Sequence, residues 1–373
     1  MIFTIKRDVF LKALSIANRA LSSKVALPIL NSLKLELDEE GLHITGSNND
    51  LTIKTTVPLK NGEEDIISNA KFGGALVNGR LLTEIVRKSE REIITFDIFD
   101  DTIVKISDGK SNFSLNSAKA EEYPDFDLDP NGVEVGMEAK TFSSIVDKVA
   151  FAASTKEQRP ILTAINFEAE DGTLTATTTD GFRLARVEQK IDTSESFVAN
   201  IPAKMAVEVA RLIDNEEHIQ VYFDVKKALF IFGDTTVSVR YAGGEFPNAK
   251  AIIPKSFNYF LEVSAQELLS AMDRVSTLSV ERDNIVTLKM SESDVEVSSR
   301  DAQTGSATEE LSVFHYENDN LSVSFNSSYV AQAIKAVGTK DVVLAFLGEM
   351  KPFAIKSIKD DSIIQIVTPR RTY

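Results

Sequence analysis

Histidine, the side chain best suited to proton transfer near neutral pH, occurs three times, as His43, His218 and His315. The three lie far apart, share no recurring neighbour and lack a metal-ligand spacing of the His-x-x-x-His kind. Cysteine is absent, which excludes disulfides, thiolate metal sites and a thiol nucleophile, and permits a reducing compartment. Neither G-x-x-x-x-G-K-[S/T] nor G-x-G-x-x-G occurs, so no phosphate-cradling loop is indicated. Asp171-Gly172 reads as a turn and Gly243-Gly244 as linker. The Asp100-Asp101 pair could attract a cation, but it falls in a hairpin loop, where carboxylates are ordinarily solvated. No catalytic residue, metal site or cofactor is expected. The chemistry to look for is binding.

The formal net charge of −15 argues, taken alone, against nucleic acid, whose phosphates are neutralised by Lys and Arg. Net charge is a whole-molecule sum, however, and its distribution over the fold matters more. A content of 43% hydrophobic and 26% charged residues fits an ordinary globular chain. The 373 residues suggest two or three domains, at roughly 100–200 residues each. There is no run of about 18 apolar residues. The opening Met1-Ile2-Phe3-Thr4-Ile5-Lys6-Arg7 reads as a strand entering a helix, without the basic-then-apolar order of a secretory signal. A cytoplasmic location without membrane association is the expectation.

The elements that would position binding residues repeat three times. Leu33, Leu35 and Leu37, a polar turn through Gly41, then Leu42 and Ile44 form an alternating pattern that predicts a β-hairpin. The pattern returns at Ile165, Phe167, Ala169, Leu174 and Ala176, and again at Val286, Leu288, Met290, Val295 and Val297. Every position in the second copy lies 132 residues after the first, and every position in the third lies 121 after the second. A chance hairpin would not keep that register twice. Each hairpin follows an amphipathic helix: Val9, Phe10, Ala13, Leu14, Ala17 and Leu21; Phe142, Ile145, Val146, Val149 and Ala153; Leu268, Leu269, Met272 and Val275. Leu27-Pro28-Ile29-Leu30 and Arg159-Pro160-Ile161-Leu162 connect the first two helices to their hairpins.

A second helix begins in each copy near Arg80, Lys204 and Ser328, at a constant offset of 124. Alternating strands follow at Ile94, Phe96 and Ile98, at Ile219, Val221 and Phe223, and at Val342, Leu344 and Phe346. Glu122-Tyr123-Pro124 and Glu245-Phe246-Pro247 open Pro-containing linkers, since proline disfavours both helix and central strand. A unit of this length is a whole α+β domain with two helices packed on antiparallel sheets. Three domains are expected at 1–127, 128–254 and 255–373.

Charge is not spread evenly over these elements. Windows 6–24, 79–91, 140–159, 203–214, 264–282 and 326–340 around the six helices carry +9 together, leaving −24 on the rest of the chain. A basic helix face against an acidic remainder would attract a polyanion at one place and repel it elsewhere. Lysines and arginines on any single helix are ordinarily just solvated charge. The fifth window, at −1, departs from the trend.

With the triplication in hand, the chain resembles the bacterial sliding-clamp family, the beta subunits of the DNA polymerase III holoenzyme. The resemblance spans the whole sequence. It is carried by Leu27-Pro28-Ile29-Leu30, Thr179-Asp180-Gly181-Phe182-Arg183-Leu184-Ala185, Phe246-Pro247, Asn326-Ser327-Ser328-Tyr329 and Pro369-Arg370-Arg371-Thr372-Tyr373. It implies a head-to-tail homodimeric ring that encircles duplex DNA without sequence preference, holding it through phosphate contacts weak enough to permit sliding. The implied partners are the replicative polymerase alpha subunit, the clamp loader and other proteins carrying a clamp-binding motif. DNA-contacting positions would fall at Lys12, Lys24, Arg80, Arg159 and Lys204.

The same resemblance implies a pocket between the second and third domains for a short peptide with Gln and large apolar residues. Its walls would be Leu162, Thr179, Gly181, Phe182, Arg183, Leu184, Pro247, Ile252, Asn326, Tyr329, Met350, Pro352, Thr368, Pro369, Arg370 and Arg371. Taken singly, Leu162, Leu184 and Ile252 read better as ordinary core. Phe182, Thr368 and Arg370 depart from the family pattern, which has His, an aliphatic residue and a small or apolar residue there. The peptide preference is therefore expected to differ, towards acidic flanks near Arg370. The dimer seam would join Lys110, Asn112, Phe113 and Leu115 to Thr277, Leu278, Glu309 and Glu310 of a second copy. Asn112 stands where a basic residue is usual, which weakens the ionic part. A repeat-built scaffold that binds only proteins is the competing reading. The basic helix windows and the pocket residues weigh against it.

Overall fold

The computed structural model describes the chain apart from residues 23–26, 100–101, 279–283, 302, 318 and 372–373. Lys24 and the Asp100-Asp101 pair thus lie outside the described residues. The fold divides into two compact units, Met1–Lys140 with Glu208–Tyr241, and Thr141–Val207 with Ala242–Tyr373.

The predicted hairpins form, and all three share one register. Leu35 faces Ile44 and Leu37 faces Leu42, Phe167 faces Ala176 and Ala169 faces Leu174, and Leu288 faces Val297 and Met290 faces Val295. Alternate side chains of a strand share one face, so these residues are buried as a set. The predicted first helices are α1 (Arg7–Asn18), α3 (Ala139–Val149) and α5 (Ala265–Ser276), and the second helices are α2 (Gly79–Lys88), α4 (Ala203–Leu212) and α6 (Ser327–Val337). Leu21 and Ala153 fall beyond the ends of α1 and α3. The starts of α2 and α6 repeat in detail. Asn78 and Asn326 each accept a hydrogen bond through Oδ1, from Leu81 N at 3.0 Å and Tyr329 N at 3.1 Å, satisfying one of the first-turn N–H groups left free by the helix geometry.

In the first unit thirteen antiparallel strands form one sheet, running from Val133–Glu138 and His218–Phe223 at one end to Ile2–Lys6 and Ile67–Lys71 at the other. Phe3, Phe10 and Phe96 centre its core, with ring centroids 4.9–6.3 Å apart. Helix α1 lies directly on the strand Gly41–Ser47. A Cβ on Gly46 would stand 2.3 Å from the Ala17 carbonyl oxygen, so only glycine permits this approach. Asn18 ties α1 to α2, donating through Nδ2 to Leu14 O (3.0 Å), Gly79 O (3.2 Å) and Thr83 Oγ1.

The second unit holds a nine-stranded antiparallel sheet, from Phe197–Pro202 to Val313–Glu317, and a four-stranded sheet ordered Gly305–Glu310, Val295–Asp301, Ile285–Met290, Leu321–Asn326. Phe142 of α3 stacks on Phe167, and Phe325, Phe353 and Phe346 form a second aromatic group.

Strand pairing, which no sequence pattern indicated, joins the repeats. Thr235–Arg240 of the second repeat pairs with Leu51–Pro58 of the first, with Val237 opposite Ile53 and the hydroxyls of Thr235 and Thr55 3.0 Å apart. Ile363–Val367 of the third pairs with Arg183–Lys190 of the second, with Ile366 opposite Leu184. The two receiving strands, Leu51–Pro58 and Arg183–Lys190, are separated by the same 132-residue offset that relates the hairpins.

Candidate functional site

The motif Thr179-Asp180-Gly181-Phe182-Arg183 forms a tight loop between the strands Thr173–Thr179 and Arg183–Lys190. Asp180 Oδ1 accepts from the backbone N–H groups of Phe182 (2.9 Å) and Arg183 (3.1 Å), an Asx-type turn completed by Gly181 at φ +91°. Thr179 Oγ1 donates to Arg183 O at 2.6 Å. Arg183 crosses from this loop towards α6. Its Nε meets Asp180 Oδ2 at 3.0 Å, Nη1 donates to Gln332 Oε1 and Nη2 to Phe151 O, both at 2.5 Å. Its guanidinium also lies over the rings of Tyr329 (4.4 Å) and Phe151 (5.2 Å).

The C-terminal segment meets the same loop. Thr368 N donates to Phe182 O at 2.9 Å, Arg370 N donates to Ser324 O at 2.7 Å, and the Arg370 guanidinium sits 4.9 Å from the centre of the Phe182 ring. Phe182 remains 46% exposed. Loop, helix and tail thus bring together Thr179, Gly181, Phe182, Arg183, Asn326, Tyr329, Thr368, Pro369 and Arg370. Leu184 is buried in a cluster with Ala345, Ala354 and Ile366, against which Ala249, Ile253 and Phe257 pack. Leu162 is buried in the short 3-10 turn Pro160–Thr163. Pro247 and Ile252 flank the short 3-10 turn Ala249–Ala251, Met350 and Pro352 share the connection between the strands Asp341–Phe346 and Phe353–Ser357, and Met350 is 51% exposed. Arg371 is exposed.

Asp180, Gln332 and Phe151, which hold Arg183, are absent from the expected wall. Asp180 was within sight, because Asp-Gly is a turn signal and carries its own capping group. Gln332 and Phe151 gave no sequence signal. A cavity of about 630 Å3, lined among others by Asn166, Thr177, Arg186, Asn200 and Lys250, shares only Pro247 with the expected pocket.

The expected DNA contacts are exposed cations on or beside the helices: Lys12 on α1, Arg80 on α2, Arg159 before the Pro160 turn and Lys204 in the first turn of α4. Lys12 and Arg80 belong to the first unit, Arg159 and Lys204 to the second. None of the four is in an ion pair among the described residues. Several neighbouring cations are committed: Arg19 to Glu208 at 2.6 Å, Lys88 to Glu84 at 3.8 Å, Arg211 to Glu208 at 3.4 Å. Of the expected seam residues, Lys110 pairs with Glu90 at 2.7 Å, while Asn112 and Phe113 are exposed and Leu115 half-buried on the strand Asn112–Ala118. Glu309 is clamped by Arg274 (2.5 and 2.8 Å), whose hydrogen bonds hold its carboxyl below the usual carboxylate range. Glu310 is exposed, and Leu278 O accepts from Thr304 Oγ1.

His43 is buried and placed between Thr56 Oγ1 (2.9 Å) and Asp38 (3.1 Å). Among the described residues no group of three His, Asp or Glu could hold a metal ion, and no helix is long and apolar enough to cross a membrane.

Three family models cover nearly the whole chain: the DNA polymerase III beta subunit N-terminal domain over residues 1–127, the central domain over 136–248 and the C-terminal domain over 250–371. The chain belongs to the DNA polymerase III beta subunit, or beta sliding clamp, family. Beta sliding clamps of Staphylococcus aureus and Staphylococcus epidermidis are each 32% identical to it over 100% of both chains. The crystal structure of the Bacillus subtilis DNA polymerase sliding clamp superposes with a TM-score of 0.97 at 29% identity, and the Streptococcus pneumoniae DNA polymerase III beta chain with 0.95 at 27%, each over 100% of both chains. The Thermotoga maritima beta subunit, at 24% identity and a TM-score of 0.90, shows the same fold. The function is that of a DNA sliding clamp, a processivity factor and not an enzyme.

Proposed function

We propose that two copies of this beta sliding clamp family member join head to tail into a ring around duplex DNA, and that the ring tethers its partners through the loop–helix–tail pocket. The observation that carries the ring is a pair of unused strand edges. Each intrachain seam joins the strand after a repeat's first hairpin, Leu51–Pro58 or Arg183–Lys190, to the last strand of the following repeat. The third strand of the first kind, Gly305–Glu310, ends its sheet. Asn112–Ala118, the third of the second kind, has one edge without a strand partner over Asn112–Asn116 among the described residues. An open edge is a template for another chain, and the offsets that relate the repeats make these two edges each other's counterpart. Phe113, 37% exposed, would be the apolar anchor, with Leu115, Thr277 and Leu278 beside it and Lys110, Asn112, Glu309 and Glu310 at its rim.

The domains are taken as 1–127, 128–254 and 255–373. Lys12, Arg80, Arg159 and Lys204, with Lys24, are assigned to phosphate; for the first four, the lack of an ion pair among the described residues supports the assignment. Partners would be duplex DNA, the replicative polymerase alpha subunit, the clamp loader and other proteins bearing a clamp-binding peptide, in the cytoplasm. The peptide would meet Leu162, Leu184, Pro247, Ile252, Met350, Pro352 and Arg371 as well as the loop, helix and tail. The direct test is retention on circular DNA. Protein loaded onto closed circles should co-elute with them in gel filtration and be released when the circle is cut. Equal retention on linear and circular DNA would contradict encirclement.

A further inference from the structure

Two guanidiniums occupy the loop–helix–tail junction, and they differ in what holds them. Arg183 is fully engaged by Asp180, Gln332 and the Phe151 carbonyl. Arg370 is fixed at its backbone by Ser324 O and rests on the Phe182 ring, but no carboxylate pairs with it among the described residues. Asp180, the acid on the same loop, is already taken by Arg183. A guanidinium stacked on an aromatic face is oriented and partly stripped of water while its N–H edge stays available for bidentate donation. Phe182 is large, half-exposed and held in place by the turn that Asp180 and Gly181 make.

We infer that Arg370, seated on Phe182, is a specificity-determining residue of the partner pocket, selecting peptides that carry an acidic residue beside their apolar anchors. This rests on the pocket reading above. Carboxylate is the matching chemistry because the cation is planar, uncommitted and adjacent to apolar surface, where an oppositely charged group also steers encounter.

The test uses full-length protein and two fluorescein-labelled nonapeptides sharing a core of Gln, Leu and Phe, one flanked by serines and one by glutamates. Fluorescence anisotropy should show the glutamate peptide binding roughly three- to fivefold tighter at low ionic strength. The preference should shrink towards parity near ~0.5 M salt, where screening acts within a few ångströms. R370A should bind both peptides with the affinity the unaltered protein has for the serine peptide, and R370K should restore part of the difference. A preference that survives in R370A, or none in the unaltered protein, overturns the inference while leaving the pocket intact. A serine peptide that fails to bind, or binds unchanged when Tyr329 is replaced by Ala, overturns the pocket and the inference together. Loss of affinity for a duplex oligonucleotide in R370A, with peptide binding unchanged, would reassign Arg370 to DNA.

Discussion

At the scale of single residues, the proposed pocket depends on side chains that serve other side chains. Asp180 is not among the expected pocket residues, yet it closes the turn that presents Phe182 and neutralises Arg183, and both carboxylate and guanidinium are nearly enclosed, at 14% and 11% exposure. Asp180→Ala should leave a charge without its partner and cost about 1–3 kcal/mol, read as a fall of several degrees in thermal unfolding, together with weaker peptide binding by anisotropy. Asp180→Asn keeps the turn-closing oxygen and should lie between. An alanine variant as stable and as tight as the parent would mean that Gln332 and the Phe151 carbonyl hold Arg183 unaided. Asp180 could be read from its Asp-Gly context. The ligands from Gln332 and Phe151 could not, because they come from elements distant in sequence and have no pattern of their own.

At the scale of elements, α1 lies on its sheet at a distance only Gly46 allows. Gly46→Ala places a methyl against the Ala17 carbonyl and should destabilise the first unit by about 1–3 kcal/mol, measured by chemical denaturation. An unchanged midpoint would show that α1 can shift without loss. The seams follow from the same kind of close packing. Val237 and Ile53 are fully buried where the first two repeats join, so Val237→Asp should abolish folding. Leu278 is only half-buried. Leu278→Asp should therefore leave the chain folded and convert dimers to monomers in light scattering, and a persisting dimer would show that the seam lies elsewhere. Existence and type of these elements were legible because burying one face imposes a period of two or 3.6 on adjacent residues. Helix ends were less so: Leu21 and Ala153 continue the apolar spacing past the last helical turn, and spacing alone does not register where the backbone bonds stop.

At the scale of the whole molecule, a net charge of −15 coexists with a DNA-handling function, and the helix cations proposed to meet phosphate, Lys12, Arg80, Arg159 and Lys204, have no ion pair among the described residues. Replacing Lys12 and Arg80 by Ala together should lower the steepness of the salt dependence of DNA binding by about one unit per cation removed. Retention on closed circles should persist at salt concentrations that abolish binding to short duplexes, because a topological link does not depend on ionic contacts. An unchanged slope in the double variant would remove these two residues from the DNA face. Negative-stain images should show closed rings. Isolated crescents would indicate a weak seam whose closure needs the loader.

The triplication, the two-helix domain plan and the absence of catalytic constellations follow from local order alone, since hairpin registers, helix faces and metal-ligand spacings are all relations between near neighbours in the chain. The resemblance then located most of the loop, helix and tail residues, including Phe182, Arg183, Tyr329 and Arg370. The three-dimensional structure decided which strand edges meet, that Arg183 is engaged while the Arg370 guanidinium rests on Phe182 with no carboxylate partner among the described residues, and which helix cations lack a carboxylate among those residues. These are contacts between segments far apart in the chain, such as Arg19 and Glu208, 189 residues from each other. A charge or an edge looks the same in sequence whether a partner reaches it or not, and only the packed chain brings that partner within bonding distance.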